Sequence, residues 1–394
     1  MNIRLNENYK NLKASYLFSE IAARVRAYSA QNPDKKIIRL GIGDVTLPLS
    51  AAVTAAMHAA VDEMAKKETF RGYAPEYGYD FLRQAIARHY AAFGVTLREN
   101  EIFVSDGAKS DVGNIVDVLG DNTILIPDPV YPVYRDSNVM SGRAVELLAG
   151  SEENGFLPMP DGLADKPNVI YLCSPNNPTG AVYNKEQLKV WVDYANRTGS
   201  LIIFDSAYEA FISGDYPHSI FAVEGARTCA LEICSFSKTA GFTGTRCAYT
   251  VIPDELAGAD ETSVQKLWER RQATKFNGVA YVVQRGAEAA LSDEGQKECR
   301  AAIAYYMENA RLLASLFDEK GIRYFGGTSS PYIWLKCPNG MGSWDFFDYL
   351  LNNVQIVGTP GEGFGKAGEG YFRLTAFGSR EATAEAVERL RGLL

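Results

Sequence analysis

Six short apolar runs, at residues 102–105, 123–127, 169–173, 201–204, 228–234 and 247–251, constrain the fold of this chain more than any other feature. Several are near-continuous in Val, Ile, Leu and Phe rather than alternating with polar residues. That pattern belongs to strands buried on both faces, and hence to a mostly parallel α/β sheet. Helical spacing fills the gaps: over 184–197, Leu188, Trp191, Val192 and Ala195 fall on one face. Upstream, a polar arm leads to a helix at 18–30 and a short strand at 37–41. Beyond about 290 come a long amphipathic helix at 297–320, strands at 330–336 and 370–375, and helices at 343–351 and 380–394, an α+β pattern. The expected architecture is a large domain over 46–290 with a mostly parallel sheet flanked by helices. A smaller α+β domain is built from both chain ends, an N-terminal arm over 1–45 and a C-terminal part over 291–394.

With 394 residues the chain exceeds one ordinary core. A hydrophobic fraction of 46% and a charged fraction of 22% suit a soluble globular enzyme. The net charge of −8, with no long basic run, argues against a nucleic-acid partner. No apolar stretch approaches the ~20 residues of a membrane span. The polar first residues resemble neither a signal peptide nor an organelle leader, so a cytoplasmic location is expected. Cys173, Cys229, Cys234, Cys247, Cys299 and Cys337 form no C-x-x-C pair and read as buried thiols. His58, His89 and His218 are not spaced as metal ligands, so no metal is expected.

Ligands of open α/β sheets sit at the C-terminal strand ends, and the polar residues cluster there. Lys238 closes Ser235-Phe236-Ser237-Lys238 after the fifth run, and Arg246 follows in a Gly-rich stretch. An amine flanked by hydroxyls and an arginine suits an aldehyde cofactor with a phosphate, namely pyridoxal phosphate held by a lysine Schiff base. Ser105-Asp106-Gly107-Ala108-Lys109 opens a helix near Ala108, where backbone N–H groups would face a phosphate. A plain strand-to-helix turn is the alternative. Asp205 ends an apolar strand, and burying an unpaired carboxylate is costly, so a protonated pyridine nitrogen is a fitting partner. The alternative is a helix cap for Ser206 onward. Asn177, in Asn176-Asn177-Pro178-Thr179-Gly180, and Tyr208 would hydrogen-bond the ring's phenolate oxygen. Tyr131, in a Pro-rich turn, could supply an aromatic face, although such a tyrosine more often belongs to core or turn.

In this order and spacing, Asn-Asn-Pro-Thr-Gly, Asp-x-x-Tyr, and Ser-x-Ser-Lys followed by Arg resemble the class I/II aminotransferases of PLP fold type I. The likeness runs over nearly the whole chain. Gly41-Ile42-Gly43-Asp44, Arg71-Gly72-Tyr73-Ala74-Pro75-Glu76, Ser105-Asp106-Gly107-Ala108-Lys109 and Ser329-Ser330-Pro331-Tyr332-Ile333-Trp334 resemble, more narrowly, the LL-diaminopimelate aminotransferase family. Ala74 stands where members often carry Gly. That resemblance implies transfer of an amino group between glutamate and tetrahydrodipicolinate, in lysine and cell-wall biosynthesis. It implies that Lys238 carries the cofactor and shuttles the proton, that Asp205 pairs with the ring nitrogen, that Tyr131 stacks, and that Asn177 and Tyr208 hold the phenolate oxygen. Ala108, Lys109, Ser235, Ser237 and Arg246 would hold the phosphate. Tyr73 and Asn277 would come from the second subunit of a homodimer. Arg373 would clamp the substrate α-carboxylate in bidentate fashion. Tyr16, Gly43, Glu76 of the second subunit, Lys109 and the Ser329-Ser330 loop would read the substrate's far end, with Tyr131, Asn177 and Asn277 also lining it.

Other readings stay open at this stage. By local sequence alone Arg373 reads as a surface strand arginine, and Gly361-Glu362-Gly363-Phe364-Gly365 as a flexible loop near it rather than a dinucleotide site. Ser235-x-x-Lys238 matches the S-x-x-K motif of serine acyl hydrolases but lacks the companion motifs. A regulator built on this fold would need a DNA-binding module that the first 45 residues do not hold. Within the same fold, an aspartate- or aromatic-type aminotransferase or a C–S lyase is the runner-up.

Overall fold

The computed structural model describes residues 3–12, 17–41 and 43–394. After the two-residue strand β1 (Ile38–Arg39), seven strands form the main sheet: β2 (Ile102–Ser105), β3 (Ile124–Asp128), β4 (Val145–Ala149), β5 (Val169–Cys173), β6 (Leu201–Asp205), β7 (Ala230–Ser235) and β8 (Ala248–Val251). Their order is β2-β8-β7-β6-β5-β3-β4. Neighbours from β7 to β4 run parallel, while β8 is antiparallel to both β7 and β2. Every residue of β2, β3, β5 and β7 is buried. Their unbroken apolar runs follow from that two-sided burial.

The helix Lys185–Thr198 shows how local sequence sets an element between strands. Asn184 accepts from Gln187 N at 2.8 Å and Gln187 Oε1 accepts from Asn184 N at 2.9 Å, a reciprocal cap. Leu188, Trp191, Val192 and Ala195 are buried against β5 and β6, and Gly199 at φ +67° ends the helix in a left-handed turn. Losing an Asn cap of this kind costs about 1 kcal/mol.

A second sheet contains β9 (Tyr324–Gly326), β10 (Tyr332–Lys336), β12 (Thr359–Pro360) and β13 (Tyr371–Thr375), all antiparallel, in the order β12-β13-β10-β9. The short β11 (Ile356–Val357) pairs in parallel with β1. Leu17, Ile21 and Val25 of the first helix, Ile38 and Leu40 share one apolar core with Leu313, Phe317, Trp334, Phe346 and Phe372. The helix Asp293–Lys320 spans 28 residues and lends Leu313 and Phe317 to that core, and its Tyr306 joins Tyr208, Tyr332 and Phe377 in a separate cluster.

The structure adds to the sequence expectations at β4 and at the Gly361 stretch, and bears out the reading of the cysteines. β4 lies outside the six runs, because it is an edge strand with only partial burial. The Gly361 to Gly365 stretch is no open loop: Gly361–Phe364 forms a 3₁₀ turn whose Phe364 is buried, and Val130 N donates to Phe364 O at 3.0 Å. All six cysteines are buried and unpaired. Among the described residues no helix is long and apolar enough to cross a membrane.

Candidate active site

Parallel strands bring their C-terminal ends to one edge, and Asp205 and Lys238 lie there. Asp205, last residue of β6, lies opposite Cys173 of β5 and Ile233 of β7 in the ladder. Two residues beyond Ile233, β7 ends at Ser235, and the short helix Phe236–Thr239 carries Lys238. Ser235 Oγ accepts from Ser237 N at 3.0 Å and starts that helix. Lys238 and Asp205 therefore follow from adjacent strand ends.

Asp205 is 7% exposed, and no cationic side chain pairs with it among the described residues. Its carboxylate accepts from Tyr134 Oη at 2.6 Å and from Ala207 N at 3.0 Å. The second bond is the cap-like turn that sequence offered as the alternative; it occupies one oxygen only. Burial pushes the Asp205 carboxyl above its ordinary value, and the two donors oppose that shift. A buried carboxylate held by neutral donors alone fits a protonated heterocyclic nitrogen.

The Lys238 amine donates to Gly43 O and sits 5.4 Å from the centre of the Phe377 ring. Burial lowers its pKa from 10.5 to about 8; Asp44 opposes the shift, and Arg373 and Arg246 assist it. Roughly a tenth of the amine is then neutral, and nucleophilic, at pH 7, against a few parts in ten thousand for an ordinary lysine. In the cofactor-free protein carrying ¹³C-methylated lysines, the Lys238 NMR resonance is expected to titrate near pH 8. A midpoint near 10.5, like an exposed lysine, would contradict this placement.

Near the opening of the helix Ala108–Asn114, Arg246 reaches Gly107 so closely that a Cβ on Gly107 would lie 2.0 Å from its Nη2. Arg246 Nη1 donates to Ser237 Oγ at 3.1 Å. Arg246 itself adopts φ +64°, a left-handed conformation costing a non-glycine residue roughly 1 kcal/mol or more. The guanidinium, the buried Ser235 and Ser237 hydroxyls and the first turn at Ala108 and exposed Lys109 form a cradle whose chemistry suits a phosphate dianion. Beneath it, buried Asp111 accepts from Ser105 Oγ at 2.6 Å and Thr250 Oγ1 at 2.7 Å, and burial raises its pKa to about 7.

Arg373 is not the surface arginine that its local sequence suggests, being 1% exposed. β13 sets it opposite Trp334 of β10 and Thr359 of β12. Its Nη1 donates to Asn177 Oδ1 at 2.6 Å and its Nη2 to Gly41 O at 2.6 Å. The guanidinium carbon lies 4.5 Å from the Tyr332 ring centre and 4.8 Å from that of Phe364, and buried Nε has no hydrogen-bond partner. Such a desolvated fork, with a spare donor, suits a planar carboxylate.

Several predicted residues stand apart from this group or around its rim. Tyr131 is half-buried, edge-on to Tyr134 with ring centres 6.1 Å apart. Tyr208 is buried with its hydroxyl against that of Tyr332. Ser329 Oγ accepts from Ser213 N at 3.0 Å, and buried Ser330 Oγ accepts from Tyr332 N at 3.1 Å. Tyr73 is 89% exposed, Asn277 is exposed and Glu76 half-buried. They share one surface, because Gly278 packs on the backbone of Ala74 and Pro75. Tyr16 lies outside the described residues.

Sequence reasoning missed Tyr134, Tyr332 and Phe364. Each sits in an apolar pattern that reads as core, and only the bond from Tyr134 to Asp205 and the two rings flanking Arg373 reveal them. It also left His89 and His218 unassigned. Both imidazoles meet the buried Glu209 carboxylate, at 3.4 and 3.0 Å. Burial works against the Glu209 charge, but these partners hold its pKa below the ordinary value. Among the described residues no group of three or more His, Cys, Asp or Glu side chains is arranged for a metal ion.

A parallel sheet with a desolvated lysine and a buried carboxylate at its edge, and an arginine delivered by a second sheet, is the plan of an aminotransferase of PLP fold type I. The chain belongs to the family described as aminotransferase class I and II, whose model matches residues 35–390, and members of that family use pyridoxal phosphate. It is 54% identical to the LL-diaminopimelate aminotransferase of Agathobacter rectalis, over 99% of this chain and 100% of that protein. Its structure superposes on the L,L-diaminopimelate aminotransferase of Chlamydomonas reinhardtii with a TM-score of 0.95 at 42% identity, covering 100% of this chain and 99% of the other. The substrate-bound BacF structure from Bacillus subtilis matches with a TM-score of 0.87 at 28% identity, covering 99% and 98%.

Proposed function

We propose that this aminotransferase interconverts tetrahydrodipicolinate plus glutamate and LL-diaminopimelate plus 2-oxoglutarate, using pyridoxal phosphate, in lysine and cell-wall biosynthesis. The observation that carries the chemistry is the convergence of buried Asp205, half-buried Lys238 and buried Arg373 on one edge of the sheet. The substrate follows from the full-length likeness to relatives that bear that activity in their names.

Bound pyridoxal phosphate would supply an aldehyde and an electron-withdrawing ring, which make an amino acid's α-proton removable. The chain's own residues do the rest. Lys238, whose amine is more readily deprotonated than an ordinary lysine's, would take the α-proton and return it one carbon away; a positioned base of this kind is worth about 10²–10⁴-fold. Asp205 would hold a proton on the ring nitrogen. Asn177 and Tyr208 would hydrogen-bond the ring's phenolate oxygen, and Tyr131 would cover a face. Ala108 N–H, Lys109, Ser235, Ser237 and Arg246 would hold the phosphate. Arg373 exchanges its bonds to Asn177 and Gly41 for the substrate α-carboxylate, between the Tyr332 and Phe364 rings. Gly43, Lys109, the Ser329-Ser330 loop and Glu76 of a second copy would read the far end of the substrate, where an amine and a carboxylate call for groups of both signs; Tyr16 is assigned the same role by resemblance alone.

Tyr73, Glu76 and Asn277 would serve the site of a second copy in a homodimer. Their grouping on one surface, with Tyr73 almost fully exposed, supports this. The division into a large domain over 46–290 and a small one from both ends is part of the same reading; the shared core of the first helix with the C-terminal elements supports it. Six unpaired thiols suit a reducing, cytoplasmic location.

A panel of amino donors to 2-oxoglutarate tests the substrate. LL-diaminopimelate is expected to exceed its meso isomer, aspartate, tyrosine and cystathionine in kcat/KM by roughly 10² or more, because buried polar groups left unpaired penalise the wrong substrate. Aspartate or tyrosine matching LL-diaminopimelate would overturn the substrate assignment and leave the aminotransferase intact.

A further inference from the structure

Tyr332 belongs to the second sheet, yet its ring lies among side chains of the main-sheet edge. On β10 it is paired with Thr375 and lies two residues from Trp334, the partner of Arg373, so Tyr332 and Arg373 are diagonal neighbours on one sheet face. The Arg373 guanidinium carbon is 4.5 Å from its ring centre, and the Tyr208 ring centre is 5.1 Å away at 68°. Its amide is held by Ser330 Oγ at 3.1 Å. Gly43 leaves room for the phenol: a Cβ there would come within 2.7 Å of Tyr332 Oη. The Gly43 carbonyl is engaged by Lys238. The Tyr332 side chain is thus fixed from several sides, and it is 1% exposed.

Its hydroxyl meets the hydroxyl of Tyr208. Each phenol has one proton and two acceptor lone pairs, so one of the two must donate. The cation of Arg373 breaks the symmetry. It lies over the Tyr332 ring, favours charge withdrawal from that O–H, and makes Tyr332 the better donor. Burial raises the pKa of both phenols, and for Tyr332 the Arg373 cation is the main opposing influence. When Tyr332 donates, the Tyr208 proton is left to point elsewhere.

We propose that Tyr332 is a positioning residue for transamination: its hydroxyl donates to Tyr208 and thereby aims and strengthens the Tyr208 O–H toward the phenolate oxygen of the cofactor. This rests on the cofactor reading given above. Chained hydrogen bonds strengthen one another, so Tyr208 is a stronger donor with Tyr332 behind it. A stronger donor at that oxygen lowers the proton affinity of the nitrogen conjugated with it.

The test is a pH titration of the visible absorption band of holoenzyme in a cycle of Tyr332→Phe, Tyr208→Phe and the double variant. Tyr332→Phe is expected to raise the spectral midpoint by about half a pH unit, roughly threefold in proton affinity, from the cooperative share of one hydrogen bond. In the Tyr208→Phe background the same change should do nothing, because the effect passes through Tyr208. An unshifted midpoint in Tyr332→Phe overturns the proposal, and so does a shift that persists without the Tyr208 hydroxyl. Should Tyr332→Phe fail to fold, Tyr332→Met fills similar space without a hydroxyl and runs the same cycle. A wild-type protein with no titrating visible band would sink the cofactor reading instead.

Discussion

Lys238→Ala is expected to lower transamination by at least about 10⁴-fold, the upper range for a positioned proton carrier, while the protein still takes up pyridoxal phosphate non-covalently. Among the described side chains, Lys238 is the half-buried amine at this strand end, and it supplies both nucleophile and proton carrier. Its neighbours cannot replace it: Arg246 and Arg373 are cations at any working pH. The retained binding follows from the separate phosphate cradle at Arg246, Ser235, Ser237 and Ala108. Single-turnover kinetics, with cofactor content measured after gel filtration, decide the matter. Turnover within tenfold of wild type would remove Lys238 from the chemistry; loss of cofactor together with activity would mean that the cradle does not hold the phosphate.

Asp205→Asn carries the second largest effect, and it has two opposite parts. An amide keeps the shape and leaves Tyr134 and Ala207 in place, but it cannot hold a proton on a ring nitrogen. A loss of about 10²–10³ in kcat is expected, the usual scale for removing one preorganised electrostatic group. Without cofactor the same variant should be more stable at neutral pH by about 1–2 kcal/mol, because a buried charge lacking a cationic partner is costly. The sign follows from the raised carboxyl pKa. The folded protein holds the Asp205 proton more tightly than the unfolded chain, so the carboxylate destabilises it once pH exceeds the ordinary carboxyl range. The stability gain should therefore vanish as pH falls into that range. Denaturant unfolding of the cofactor-free proteins at several pH values measures it. Equal stability at neutral pH, with kcat preserved, would mean that Asp205 is only a helix cap.

Strand content was readable where burial was two-sided. The runs at Ile102 and Val169 are nearly all apolar, because every residue of those strands is buried, and in the run at Leu201 only the first residue is partly exposed. β4 was not readable, since an edge strand with exposed Glu146 and Leu147 has the pattern of a loop. The reversed direction of β8 was not readable either, because an apolar run carries no arrow. The same division runs through the site. Lys238, Asp205 and Asn177 sit in strand-end motifs, and the strand end is a sequence feature. Tyr134 and Tyr332 act through hydroxyls whose partners lie 71 and 124 residues away.

The amino-acid sequence by itself determined a mostly parallel sheet, the lysine and carboxylate at its edge and the kind of cofactor they suit, because these depend on burial period and on residues near in the chain. Tertiary structure alone decided that Arg373 is buried between Tyr332 and Phe364 with its fork on Asn177 and Gly41. That outcome depends on how a second sheet packs against the first. A guanidinium on a short strand has the same local pattern whether it faces water or a ring, and only the closing of distant segments removes the water.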